Sequence, residues 1–281
     1  MKFSIITVAL NPGEKLQATL DSVFCQTCTD YEVILKDGGS TDGSMDGWKS
    51  AADCREDAAS RVRFFEKPDK GIYDAMNQAV QQAEGDFVLF LNCGDVLADE
   101  RVLERVAERI DGERKEESAA GELPLVLYGD TFRAGTGVRI ASSPKITGFT
   151  CYRNIPCHQS CFYSIDLCRT KPYDLQYKIR ADYDHFLWCF YRAGARFLYM
   201  EFPVSSYEGG GYSESRENAE RDGREHRAIV REYMSGPELF RYRAVMALTL
   251  APLRRKMAES KLFAGCYHRL KMMVYGRQQQ N

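Results

Sequence analysis

Polar residues whose types and spacing could do chemistry gather in four places along this chain. Asp37-Gly-Gly-Ser-Thr-Asp-Gly43 sets two adjacent glycines, which permit close backbone approach, beside a carboxylate able to accept from a base N–H or a ribose hydroxyl. Asn92-Cys-Gly-Asp95 offers a carboxylate suited to a hard divalent cation shared with a diphosphate. Within Glu66-Lys-Pro-Asp-Lys-Gly-Ile-Tyr-Asp-Ala-Met-Asn77, Asp69 and Lys70 could touch a base and a phosphate. Ala181-Asp-Tyr-Asp184 opens a segment in which Tyr183, Phe186, Leu187 and Phe190 have helical spacing, so Asp182 stands at a helix start. Each cluster also has a plainer reading. Ser40 or Thr41 would cap a helix, Asn-x-Gly-Asp would close a turn, Asp69 and Asp182 would serve as helix caps, and Lys70 would be a solvated charge. No GK[ST] follows the first cluster, which excludes a Walker loop.

The elements that must position these clusters alternate through the first half. Phe3–Ala9 is a continuous β-branched run of the kind buried on both faces of a parallel sheet, and Asn11-Pro12 stops it. Leu16, Leu20, Val23 and Phe24 recur at helical spacing, and Tyr31–Leu35 is the next strand. Val62–Phe65 follows as a third strand; Ile72, Ala75, Met76, Ala79, Val80 and Ala83 then mark an amphipathic helix, and Phe87–Leu91 a fourth strand. Leu103, Val106 and Ile110 give one more helix, Asp111–Glu122 reads as a solvated loop, and Leu125–Tyr128 is a fifth strand. Such alternation builds a sheet with helices on both faces and a ligand crevice at the carboxyl ends of its strands, where three of the clusters fall. After Asp130 the pattern changes to glycines, aromatics and short apolar runs, which suggests antiparallel strands and irregular loops.

Composition narrows the function classes. The 281 residues are 44% hydrophobic and 28% charged, enough for one large domain with an appendage. Net charge is -2, unevenly spread: residues 236–281 carry nine Lys or Arg against Glu238 and Glu259, leaving +7 there and -9 over residues 1–235. An acidic body argues against nucleic acid as the main ligand. The ten cysteines, with an N-terminus that enters a strand directly, point to a reducing, cytoplasmic location, and Cys25 and Cys28 read as ordinary helix-end thiols. No window approaches the ~18 apolar residues of a membrane span. The four histidines have no metal-ligand spacing.

Taken in order, DGGSTDGS, EKPDKGIYDAMNQAVQQAEGDFVLFLNCGD, CHQSCFY and ADYDHFLW resemble the inverting family 2 glycosyltransferases of the GT-A fold, over about Met1 to Tyr207. The resemblance implies an α/β fold, GT-A and Rossmann-like, with a mostly parallel sheet flanked by helices and a basic helical C-terminal extension. It implies a donor-binding half over residues 1–130, an acceptor and catalytic half over 131–212, and the extension over 213–281. It assigns the donor nucleotide to Ala9, Asp37, Asp69, Lys70, Asn92 and Gly94, the metal, Mn²⁺ or Mg²⁺, to Asp95, and the acceptor and donor-sugar pocket to His158 and Gln159. Asp182 matches the catalytic base, with Asp184 as the alternative. The sequence departs from the motif at Asn92 and Gly94, where carboxylates are often found, and at Ala181, where the family commonly has a first acid.

The activity this implies is transfer of a sugar from a nucleotide-diphospho-sugar, UDP by default, to a saccharide or lipid-linked saccharide in bacterial surface-polysaccharide assembly. A base must take the proton of the acceptor hydroxyl as it attacks. The alternative is a weak or inactive GT-A scaffold in a membrane-associated assembly. A nucleotidyltransferase is disfavoured, because Ala9-Leu-Asn-Pro-Gly13 lacks a Gly-rich, Arg- or Lys-bearing loop. Tyr207-Glu-Gly-Gly-Gly-Tyr-Ser213 reads as a mobile lid or a flexible connector. The apolar residues interleaved with the basic tail suit helices on an anionic membrane surface, at the inner face of the plasma membrane, or packed on the body or a second subunit as a homo-oligomer.

Overall fold

A computed structural model describes residues 1–46, 61–116, 123–208 and 218–249. Two compact units divide the chain, Met1–Ile229 and Val230–Asn281.

In the first unit the expected strands form. β1 (Phe3–Ala9) and β2 (Tyr31–Asp37) are buried along their whole length, as continuous apolar runs in a parallel sheet must be. β1 pairs in parallel with β2 on one side and with β4 (Phe87–Phe90) on the other, and β3 (Val62–Glu66) lies parallel at the edge beside β2. Between them run α1 (Lys15–Phe24), with Leu16, Leu20 and Val23 buried, and α2 (Ile72–Val80), with Ala75, Met76, Ala79 and Val80 buried. Ile72, assigned above to the apolar stripe, is instead exposed, because it opens the helix at the rim of the sheet. The short β5 (Val96–Leu97) is followed by α3 (Val102–Glu116), whose Leu103, Val106 and Ile110 are buried. α3 thus runs through the start of the segment read as a loop from Asp111. Arg109 pairs with Glu113 at i,i+4, and Arg196 pairs with the same Glu113.

Beyond Asp130 the expectation of antiparallel strands holds in part. β6 (Leu125–Arg133) pairs antiparallel with β7 (Val138–Ile140) and with β8 (Cys161–Ser164), but in parallel with β9 (Arg196–Tyr207). The parallel pairing is the correction: α6 (Ala181–Tyr191) between β8 and β9 allows the return that parallel strands need. β8 inserts antiparallel between β4 and β6, giving the order β3-β2-β1-β4-β8-β6-β9-β5. The remaining helices are α4 (Gly148–Arg153), a single 3-10 turn (His158–Ser160), α5 (Ile165–Thr170) and α7 (Ala219–Tyr233).

The second unit is described as far as Thr249. Its α8 (Gly236–Leu248) starts at a capping box: Ser235 N–H donates to Glu238 Oε2 at 2.9 Å, and Glu238 N–H to Ser235 Oγ at 3.4 Å. The basic tail beyond Thr249, and residues 209–217, which take in all but the first two residues of the glycine-rich run, lie outside the described residues. Among the described residues no helix is long and apolar enough to cross a membrane, and the cysteines, Cys25 and Cys28 included, are free.

Candidate active site

The loops after β1 and β2 are stitched together. Gly38 N–H donates to Ala9 carbonyl at 2.8 Å, Asn11 N–H to Ser40 Oγ at 2.8 Å, and Thr41 N–H to Asn11 Oδ1 at 2.8 Å. Asp37 is buried, and its carboxylate accepts from Ser40 N–H at 3.0 to 3.1 Å and from the Ser40 hydroxyl at 2.6 Å. It closes the turn that brings Ala9 and Gly38 together. Asp69 lies against this turn: a Cβ on Gly38 would fall 3.0 Å from its Oδ2. Its own partners are the Lys36 ammonium, wholly buried at the end of β2, and Gly71 N–H at 2.9 Å. Lys70 N–H is capped by Asp74 at 2.8 Å, and its side chain is exposed at the same rim. The sequence reading missed Lys36. Its signal was a lysine in a strand otherwise apolar enough to be buried on both faces.

Further along the sheet a chain of hydrogen bonds joins the Asn92 and Ala181 clusters. Asn92 Nδ2 lies 3.1 Å from His158 Nε2, and His158 Nδ1 lies 3.2 Å from Asp182 Oδ2. An amide NH₂ can only donate, so with Asn92 in this orientation Nε2 is the acceptor and Nδ1 carries the proton toward Asp182. The other oxygen of Asp182 is 3.0 Å from the Tyr73 hydroxyl, which also lies 2.6 Å from the Ile179 carbonyl. Burial pushes the Asp182 carboxyl up, yet the hydrogen bond from His158, the charge of that ring whenever it is protonated and the Tyr73 hydroxyl outweigh it, and the group titrates below an ordinary aspartate. Burial, with the Asp182 charge second, holds the Tyr73 phenol far above its usual range, so it remains a neutral donor. Asp184 sits differently: it is buried and paired with the Lys171 ammonium at 3.0 Å.

The residue after His158 turns to the other carboxylate. Gln159 Nε2 donates to Asp95 Oδ2 at 2.8 Å, and Asp95 Oδ1 accepts from Glu208 N–H at 3.1 Å. Burial raises the Asp95 carboxyl, opposed by these two donors. Glu208, just past β9, reaches Lys15 Nζ at 2.6 Å. Its carboxylate stands over Gly94, where φ is +96° and a Cβ would meet Glu208 Oε2 at 2.6 Å. Glu208 was also missed. It lies inside the glycine run that drew attention only for mobility.

These groups suit a divalent cation. Among the described residues no three His, Cys, Asp or Glu side chains converge on one point. Asn92 Oδ1, however, is a buried acceptor with no partner in a cluster that also holds Asp95 and the Glu208 carboxylate. One or two carboxylates and an amide oxygen, completed by phosphate oxygens and water, is a donor set that Mg²⁺ or Mn²⁺ accepts.

A turn-bound carboxylate and a cation-suited carboxylate at strand ends, with a hydrogen-bonded carboxylate at the start of α6, are an arrangement that could serve group transfer in the crevice of an α/β sheet. The comparisons with known proteins specify the class. Residues 4–123 match the model of "Glycosyl transferase family 2". A PGL/p-HBAD biosynthesis glycosyltransferase of Mycobacterium bovis, also found in Mycobacterium tuberculosis, is 38% identical over 213 residues, 75% of this chain and 78% of the relative. The chain belongs to glycosyltransferase family 2. Its fold is shared with TarS of S. aureus (TM-score 0.65, 18% identity, 93% of this chain and 44% of that one). It is shared too with a mannosyltransferase of Pyrobaculum calidifontis solved with GDP-Man and Mn²⁺ (TM-score 0.64, 14% identity, 100% of this chain and 88% of that one). The fold is therefore GT-A, as the sequence led one to expect.

Proposed function

We propose that this glycosyltransferase moves a sugar, with inversion, from a nucleotide-diphospho-sugar to a hydroxyl of a saccharide or lipid-linked saccharide, with Asp182 as the base. The observation that carries this reading is the pair of neighbours His158 and Gln159. One orients the Asp182 carboxylate and the other the Asp95 carboxylate, so the proton acceptor and the diphosphate end of the site are held at adjacent residues. A hydroxyl is a poor nucleophile at neutral pH; Asp182, ionised and held by Tyr73 and His158, takes its proton as the oxygen attacks the anomeric carbon. The nucleoside diphosphate leaves from the opposite face in one displacement. Asp95 would hold a divalent cation, with Asn92 Oδ1 and Glu208 beside it, and the cation would neutralise charge developing on the departing diphosphate. Ala9, the Asp37 turn, Asp69, Lys70 and Gly94 would border the nucleotide.

UDP is the favoured nucleotide. Solved neighbours of like fold carry it: TarS of S. aureus was solved with UDP and with UDP-GlcNAc, and glucosyl-3-phosphoglycerate synthase of M. tuberculosis with UDP and Mn²⁺. The acceptor class is supported by relatives named for PGL/p-HBAD biosynthesis, and a place at the inner membrane face by the basic, apolar-interleaved composition of residues 236–281.

A thermal-shift panel of UDP-, GDP- and dTDP-sugars with and without Mn²⁺, on the wild type and Asp95→Ala, tests the reading. A ligand at one hundred times its Kd stabilises by about 2.7 kcal/mol, a rise of roughly 5 to 10 °C for a unit of this size. One nucleotide class should give that rise only with metal and with Asp95 intact. No rise with any nucleotide-sugar would overturn the donor assignment.

A further inference from the structure

The lead-in to α6 is held by a residue that nothing above uses. The helix bearing Asp182 has Arg180 at its N-cap and no side-chain cap of its own. Three consecutive N–H groups before it would be orphaned in a partly buried loop. All three are taken by one buried carboxylate from α7: Glu225 Oε1 accepts from Lys178 N–H at 3.0 Å, and Oε2 from Ile179 N–H at 2.9 Å and Arg180 N–H at 3.0 Å. Hydrogen bonds to an ionised acceptor are the strong kind, and a negative charge at a helix N-terminus is favoured by the helix dipole.

The rest of that helix face grips the same segment. Asp222 takes the Arg180 guanidinium in a two-pronged bond at 2.6 and 2.9 Å. His226 stacks on the Tyr183 ring at 5.3 Å and contacts the Tyr152 carbonyl at 3.0 Å through Nε2. Asp222, Glu225 and His226 are spaced i, i+3 and i+4, so a single face of α7 meets the residues on both sides of Asp182. From the opposite side, Tyr73 contacts the Ile179 carbonyl at 2.6 Å and Asp182 Oδ1 at 3.0 Å. The peptide at Ile179 is thus pinned at its N–H by Glu225 and at its C=O by the hydroxyl that also meets the base. A shift of this loop moves the base relative to Tyr73 and His158.

We propose that Glu225 is a positioning residue for Asp182, setting its carboxylate between Tyr73 and His158 while touching no substrate. The kinetic part of this proposal rests on the role given to Asp182 above; the geometric part does not. Displacement of a reacting group by about 1 Å can cost on the order of a hundredfold in rate.

The test compares wild type, Glu225→Gln, Asp182→Ala and Asp182→Asn. The first readout is the downfield proton NMR signal of His158 Nδ1–H in the protein alone, assigned by its loss in Asp182→Ala. The second is the kcat for UDP release from the UDP-sugar that stabilises best in the panel, set beside the Kd for UDP with Mn²⁺. Glu225→Gln should shift or broaden the His158 signal and lower kcat at least tenfold, with Kd within twofold of wild type. A His158 signal at its wild-type position, or a kcat within twofold of wild type, would overturn the proposal. If Asp182→Asn keeps wild-type turnover, the base assignment falls, and the NMR signal alone then decides whether Glu225 fixes that carboxylate. Should Glu225→Gln not fold, Glu225→Asp replaces it: this change keeps the charge but withdraws the carboxylate by one methylene from the N–H groups of Lys178, Ile179 and Arg180, and the same signal must move the same way, a wild-type signal again overturning the proposal.

Discussion

Replacing Asp182 by Asn separates proton acceptance from everything else the side chain does. The amide has nearly the same shape and keeps one acceptor oxygen, which can retain either the His158 N–H at 3.2 Å or the Tyr73 hydroxyl at 3.0 Å. With the oxygen on the His158 side, the NH₂ can donate to the Tyr73 oxygen, whose single proton turns to the Ile179 carbonyl at 2.6 Å, so the cost is at most that of one lost hydrogen bond, about 1 to 3 kcal/mol, offset in part because no charge is buried. A positioned general base contributes on the order of 10² to 10⁴ in rate, equivalent to about 3 to 5 kcal/mol of barrier. Asp182→Asn should therefore lower kcat for UDP release at least a hundredfold, while calorimetric affinity for UDP with Mn²⁺ stays within a factor of about two and the melting temperature falls by no more than roughly 10 °C. The pH profile adds a sign. Because the folded carboxyl titrates below an ordinary aspartate, the wild-type base is ionised through the neutral range, and any acid limb due to it lies below the usual aspartate range. Asp184→Asn is the control. It removes the partner of Lys171, whose side chain is 26% exposed and can turn toward water, so the loss should fall below the ~3 to 5 kcal/mol of a sealed buried pair, with turnover of the folded protein retained. Turnover by Asp182→Asn within threefold of wild type, or loss in Asp184→Asn alone, would refute the assignment.

Three further outcomes follow from the geometry. Gln159→Leu removes the amide that orients Asp95 at 2.8 Å and should weaken Mn²⁺ binding in the presence of UDP by on the order of ten- to a hundredfold, read by electron paramagnetic resonance of free Mn²⁺. Burial pushes the His185 imidazole down to about 4, whereas the unfolded chain protonates it near 6.5; stability is full above pH 6.5 and declines as pH falls to about 4. The loss amounts to roughly 3 kcal/mol, and the decline should flatten in urea titrations of His185→Asn. Gly85→Ala would place a Cβ 2.6 Å from the backbone of Phe3 and Ser4, atoms of a central strand that cannot move aside; it should destabilise by about 3 kcal/mol or more in thermal unfolding.

Most of the parallel half was legible because its signals are local. Phe3–Ala9 and Tyr31–Leu35 are mostly apolar and β-branched, broken only by Ser4, Thr7 and Glu32, and a strand buried on both faces is almost the only place for such runs. The glycines and carboxylates after them marked the strand ends for the same reason. What stayed hidden needed partners distant in sequence. Lys36 reads as a charge to be kept in water until Asp69, 33 residues on, neutralises it under the Gly38 turn. Glu208 comes to Asp95 from 113 residues away. The departure at Gly94, which looked like a missing carboxylate, has a spatial counterpart: without a side chain there, the Glu208 carboxylate occupies the space that one would fill. Asp37 shows the limit in the other direction. The residue was legible, but its engagement with Ser40 is a matter of three-dimensional closure.

The least legible feature of the site is also the one that explains its assembly. β8 runs antiparallel between β4 and β6, pairing Phe87 with Ser164 and Leu89 with Phe162. A strand of that direction begins where β4 ends, so the 3-10 turn before it, His158–Ser160, arrives at the carboxyl end of β4 beside Asn92. A parallel strand in the same place would have ended there, and its preceding loop would lie on the far edge of the sheet. Reversing this strand therefore delivers two adjacent side chains to the strand-end crevice: the β4 side, where Gln159 finds Asp95, and the α6 side, where His158 finds Asp182. Replacing both side chains at once should then disturb metal affinity and base orientation together, while the buried hydroxyls of Thr131, Ser160 and Ser205, which hydrogen-bond at 2.8 Å beneath the turn, keep the backbone in place.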